Sequence, residues 1–264
     1  MGFLKNKNTR VIIFIMVILV AVSLVVSKIY YQNVNRAVDP RIVPAREMYG
    51  QYNDLTQAND FNGVLQLLDA IETIYQSIPH YKNAFEMGVL SNNRAAVYLT
   101  LAMHKDSILV PADSQFLLNF DKDTLVNMAM ANIINSVDVY EAWKDEYATL
   151  SETECKKKIQ SDFYEGLNDY PEDEKEKFLE TRLNTFMHNQ IEINRRLSVS
   201  YTNMGIAYRQ QEEYDLAIAA YRKAIALWDR NLTAENNLNV LLGRPMKDPS
   251  VIQKIFPPDK ENAE

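Results

Sequence analysis

Glycine is nearly missing from this chain, with 7 residues in 264. So few glycines mean few tight turns, which excludes the many-hairpin architectures of β-sandwiches and barrels. They also leave no glycine-rich phosphate loop and no dinucleotide fingerprint. A lone cysteine, Cys155, cannot close an intrachain disulfide, so folding does not depend on oxidation. It follows a helix start but has no histidine near it in sequence, and it reads as a plain surface cysteine. Three histidines, His80, His104 and His188, fall in no HExxH motif and no Cys/His zinc pattern. His188 and Glu192 lie four apart on one expected helix face, and two ligands are too few for a defined metal site. Positive charge is also short. The net charge is −7, and the first ten residues hold Lys5, Lys7 and Arg10 with no acid, so the rest is more acidic still. An acidic body does not neutralise phosphates. The expectation is a protein that is not an enzyme, holds no cofactor or metal, and binds no nucleic acid.

What the chain does have is apolar surface at helical spacing. Val11 to Val26 is apolar except for Ser23, leaving no polar face at any phase of a helix. Extended to Tyr31, the run is long enough to cross a hydrocarbon core. Lys28 is placed to snorkel, and Tyr30 and Tyr31 stand where an aromatic belt forms. A cleaved signal peptide shares the basic and apolar regions, but no small-x-small site follows this one cleanly. The reading is therefore a basic cytoplasmic tail at 1–10, a transmembrane helix at 11–31 and a linker at 32–40. The basic N-terminal flank orients the body out of the cytoplasm.

Helical patterns fill residues 41–243. The first runs over 41–59 with Pro44 in its opening turn. Phe61 to Ile78 repeats apolar residues by threes and fours through Val64, Leu67, Leu68, Ile71, Ile74 and Tyr75, and Pro79 ends it. Tyr81 to Met103 follows, with Phe85, Val89, Val97 and Leu101 on one face. Residues 104–122 have no steady period and read as a long inserted loop tied down by Phe116, Leu117, Leu118 and Phe120. Thr124 to Tyr147 is a further helix, and Ser151 with Glu154 forms a capping box for the next. Pro171 and the acids after it open a stripe through Leu179, Leu183, Phe186 or Met187, Ile191, Leu197, Tyr201, Met204 and Tyr208, which predicts one unusually long helix. Residues 244–264 read as an extended tail.

Internal repetition decides the architecture. Residues 198–231 set Tyr201, Met204, Gly205 and Tyr208 on a first helix and Ala217, Tyr221 and Ala224 on a second. Gly205 and Ala217 let two antiparallel backbones approach, while the tyrosines fill the space around them. This segment resembles one tetratricopeptide repeat, with Asp229 standing where the family usually has proline. A weaker repeat pairs Ser91 to Leu101 with Ala129, Ile133 and Ser136, and Asn231 to Leu242 supplies a capping helix. The resemblance implies an all-α fold, a right-handed α-solenoid of antiparallel helix pairs behind the membrane helix, because one repeat cannot bury its own faces.

The same resemblance implies binding of protein or peptide partners along the first helices. Carried over residue by residue, the partner-facing positions are Val199, Thr202, Asn203, Ile206, Arg209 and Gln210, and Asn92, Asn93, Ala96 and Leu99 in the weaker repeat. The expected function is a single-pass, membrane-anchored scaffold of the bacterial cell envelope, in an assembly, secretion or motility complex at the inner membrane. The alternative is a cytosol-facing import or transport receptor on a membrane.

Overall fold

The computed structural model describes residues 37–249, and every regular element among them is helical. The expected helix over 41–59 is two short ones, α1 (Val43–Tyr49) and α2 (Tyr52–Gln57). Asn59 stops the second with a φ of 55°, a left-handed conformation that asparagine tolerates. Asp60 then caps α3 (Phe61–Gln76) by accepting a bond from the Gly63 amide. Its expected face is buried, with Val64 and Leu68 fully enclosed.

Tyr81 lies in a short 3-10 turn, Pro79–Tyr81, so α4 begins only at Phe85 and runs to His104. Asp121 caps α5 (Lys122–Tyr147). The Ser151–Glu154 capping box opens α6 (Glu152–Tyr164). Pro171 precedes α7 (Glu172–Gln210), whose 39 residues span about 58 Å at the helical rise. Then come α8 (Tyr214–Leu227) and α9 (Leu232–Leu241), the latter capped by Asn231.

The most extensive packing joins α4 to α5 and α7 to α8, with α5 lying against α7 between them. Both pairs are drawn together by the same device. A Cβ added at Gly205 would come within 2.5 Å of the Tyr221 ring, and one added at Gly88 within 2.6 Å of the Tyr140 ring. No real Cβ tolerates such a contact, so each glycine is the seat of a tyrosine. Ser136 Oγ donates to the Gly88 carbonyl at 2.9 Å, and Ser198 Oγ donates to the Ala224 carbonyl at 2.7 Å. Ser136 and Ser200 share a hydrogen bond of 2.9 Å that sews α5 to α7. These buried hydroxyls replace bulk with short bonds and let the helices close up.

The weaker repeat is therefore registered differently from its sequence reading. Ala129, Ile133 and Ser136 are all buried, but the counterpart of Gly205–Tyr221 is Gly88–Tyr140. Ser136 stands four residues before its tyrosine, as Ala217 does, and Trp143 three after, as Ala224 does.

The inserted segment is not a structureless loop. It contains a 3-10 helix, Ala112–Asn119, with Ser114 and Leu117 buried. Ser114 Oγ donates to the Asp60 carboxylate and accepts from the Asn62 amide, which fastens the segment to the start of α3. Phe116, expected to help tie it down, is half exposed.

The membrane expectation is corrected. No helix among the described residues is long and apolar enough to cross a membrane. Even the long helices carry charged faces; α7 opens with Glu172, Asp173 and Glu174 and bears Lys175 and Lys177. The span expected at 11–31 lies outside the described residues, as do the basic tail, most of the linker and residues 250–264. The supported fold class is all-α and consistent with a tetratricopeptide-like helical fold, with no membrane-spanning helix among the described residues. The single-pass, inner-membrane placement with an extracytoplasmic body falls with that span. Of the tail, residues 244–249 are irregular, and Lys247 is held through its amide and carbonyl by the Asn236 side chain.

Candidate partner-binding face

The first helices of the two pairs, α4 and the C-terminal half of α7, touch along one edge. Asn203 Nδ2 donates to Asn92 Oδ1 at 3.0 Å, and Ser200 Oγ lies 3.3 Å from the same oxygen. These bonds fix the orientation of both amides. Asn92 then presents its NH2 and Asn203 its carbonyl oxygen, one donor beside one acceptor. A peptide group offers the complementary acceptor and donor. Val199, Ile206 and Ala96 are half-buried and border the pair, and Gln210 is half-buried at the helix end. Arg209 is tied down, its Nη1 donating to Asn237 Oδ1 at 3.0 Å.

Three of the expected partner residues point inward. Asn93 Nδ2 donates to the Tyr49 hydroxyl at 2.7 Å. Leu99 is buried in the core. Thr202 donates to the Ser198 carbonyl at 2.8 Å and accepts from Asn231 Nδ2 at 2.9 Å, so it serves the junction with α9. The expected packing residues Gly205, Ala217, Tyr221 and Ala224 lie buried between α7 and α8, and Met204 and Tyr208 are half-buried against the core. Tyr201 donates to Glu141 at 3.2 Å, and the Lys223 ammonium sits over its ring at 4.1 Å from the centroid.

A second cluster forms where the N-terminal half of α7 meets the start of α4. Arg182, with 3% of its side chain exposed, pairs with Glu86. Its Nε donates to His80 Nε2 at 3.0 Å, and its guanidinium lies over the Tyr81 and Phe186 rings at 4.4 and 4.8 Å. Burial disfavours the Arg182 charge, but Glu86 and the neighbouring phenols outweigh this and hold it on. Burial, with Arg182 adding to it, pushes the His80 pKa down to about 2. His80 is thus a neutral acceptor. The group joins residues about a hundred positions apart, which is why a linear reading passes over it. Its one signal is an arginine inside the apolar stripe of Leu179, Leu183 and Phe186.

The other singled-out residues are dispersed. His188 is exposed, and Glu192 pairs with Arg195. Among the described residues no group of three or more His, Cys, Asp or Glu side chains is placed to hold a metal ion. Cys155 is fully buried rather than superficial, because the first turn of α6 packs against α7, where Gln190 Nε2 lies 3.8 Å from its sulfur. Burial pushes its thiol pKa up.

With this geometry in view, residues 198–231 match the tetratricopeptide repeat family. No curated protein and no solved structure matches the chain significantly.

Proposed function

We propose that this protein is a non-catalytic interaction scaffold that holds an extended segment of a partner protein along the α4/α7 face. The repeat at 198–231 points to protein–protein interaction in general. The paired amides of Asn92 and Asn203 carry the finer reading, since they offer a peptide group its two complementary bonds without demanding a side-chain sequence. Half-buried Val199 and Ile206 supply apolar contact beside them. The proposal that the chain catalyses nothing draws on the same features, because its most buried charged cluster, around Arg182, is internally satisfied.

A photo-crosslinking residue at Val199 or Ile206 tests the reading. It should capture a partner segment, whereas the same residue at exposed Ile134 on α5 should not. Asn203→Ala should weaken capture about tenfold, the order expected for losing one well-placed hydrogen bond and its neighbour's orientation. Equal capture at Ile134, or none at Val199 and Ile206, would remove the reading.

A further inference from the structure

A cavity of about 90 Å³ lies between α1, the end of α3, the start of α4 and the N-terminal half of α7. Among its lining groups are the side chains of Arg46, Tyr75, Tyr81, Glu86, Thr181 and Arg182. It is too small for a nucleotide or a drug-sized molecule and large enough for a small polar group. Two of its groups are unusual. Tyr81 is 1% exposed and Tyr75 is 7% exposed, and neither phenol hydroxyl has a hydrogen-bond partner among the described residues. These two phenol donors are left to bond whatever occupies the cavity.

The charges around the cavity decide what that ligand is. The Glu86 carboxylate is taken by Arg182, and that of Asp39 by Arg41, whose Nε and Nη2 donate at 2.9 and 2.7 Å. Arg46 lines the same cavity and has neither an ion pair nor a hydrogen bond among the described residues. The surroundings thus carry one uncompensated positive charge and two free hydroxyl donors. A dianion such as phosphate would need a second free cation. A neutral group would make no use of the Arg46 charge, which reaches the cavity from an exposed position.

We propose that this cavity binds one carboxylate group, which accepts hydrogen bonds from the Tyr75 and Tyr81 hydroxyls and is balanced in charge by Arg46. Burial raises both phenol pKa values, so both remain protonated donors at neutral pH. The carboxylate comes either from a free short-chain acid or from an acidic side chain of a bound polypeptide. The site uses none of residues 198–231 and does not depend on the scaffold reading above.

Calorimetric titration of the full-length chain tests it, with acetate as the free acid, acetamide as its neutral isostere, and acetyl-aspartate methylamide as the side-chain form. Acetate should bind saturably at one site. Acetamide should bind at least about tenfold more weakly, as expected when a charge-assisted contact is lost. Tyr81→Phe keeps the ring over Arg182 and removes the donor, and Arg46→Gln alters an exposed position; each should weaken acetate about tenfold. Tighter binding of the aspartate form identifies a side-chain source, and its exclusion alongside acetate binding identifies a free acid. Equal affinity for acetate and acetamide, no saturable binding of either carboxylate, or acetate binding unmoved by both substitutions would overturn the proposal.

Discussion

Two glycine–tyrosine contacts hold the molecule, and they reach the same geometry from very different sequence. Gly205 and Tyr221 are 16 positions apart and joined by a tight turn, while Gly88 and Tyr140 are 52 apart, separated by extra helix and the inserted 3-10 segment. The Gly205–Tyr221 pair fills its neighbouring positions with Ala217 and Ala224, and the Gly88–Tyr140 pair with Ser136 and Trp143. The Gly88–Tyr140 pair is also fenced by aromatic neighbours, with Phe85 centred 4.8 Å from Tyr140 and 5.2 Å from Trp143. The difference shows what a helix pair requires. It needs one missing side chain opposite one flat ring, while the length of chain between them is free to vary.

Widening either glycine breaks the comparison most severely. Gly88→Val and Gly205→Val should each cost about 3 kcal/mol or more, because the new methyls meet a ring that cannot retreat. Gly88→Val should be the worse, since Tyr140 has aromatic neighbours behind it. Urea midpoints of the two variants check the order. Next comes Arg182→Ala, which acts only on the Gly88–Tyr140 pair by freeing Glu86 two residues before Gly88. The loss should be about 3 kcal/mol at most, because the Glu86 side chain is 21% exposed and water screens part of the charge left behind.

Acid should loosen that same end of the molecule. The folded state holds His80 neutral with a pKa of about 2, whereas an unfolded histidine takes a proton below about pH 6.5. The stabilisation is complete above that pH and is lost progressively as pH falls from there toward 2. Thermal melts from pH 7 to pH 4 should show a slope that flattens in His80→Asn. Smaller still are the single hydroxyls. Ser136→Ala removes the link from α5 to Gly88 and Ser200 and should cost about 1 kcal/mol. Tyr221→Phe should raise stability by up to about 1 kcal/mol, since the Tyr221 hydroxyl is buried with no partner among the described residues.

These effects also mark what the sequence allowed one to read. The pair at 198–231 is legible because its small and aromatic residues fall at fixed spacing within 34 positions, and the Ser151–Glu154 start is written in local capping chemistry. The long α7 follows from its apolar stripe, although Ile191, placed on that stripe by spacing, is exposed and Ile193 is buried instead. Gly88 is not legible in this way because its tyrosine lies beyond an insertion, and periodicity carries no information across such a gap. Family position alone puts Asn93, Thr202 and Leu99 on the partner face. Their inward turn depends on Tyr49, Asn231 and the core, which only the folded arrangement brings near. The buried cluster of His80, Glu86 and Arg182 and the cavity beside it are assembled from distant segments for the same reason.

The most direct test is a double-mutant cycle at each contact, combining Gly205→Ala with Tyr221→Leu and Gly88→Ala with Tyr140→Leu, with stability read from chemical denaturation. If each glycine exists to seat its ring, the alanine should destabilise strongly beside tyrosine and much less beside leucine, giving a coupling of about 1 kcal/mol or more in both pairs. Additive costs in either cycle would contradict the account, for they would mean that the helices are held at that point by something other than the glycine–tyrosine contact.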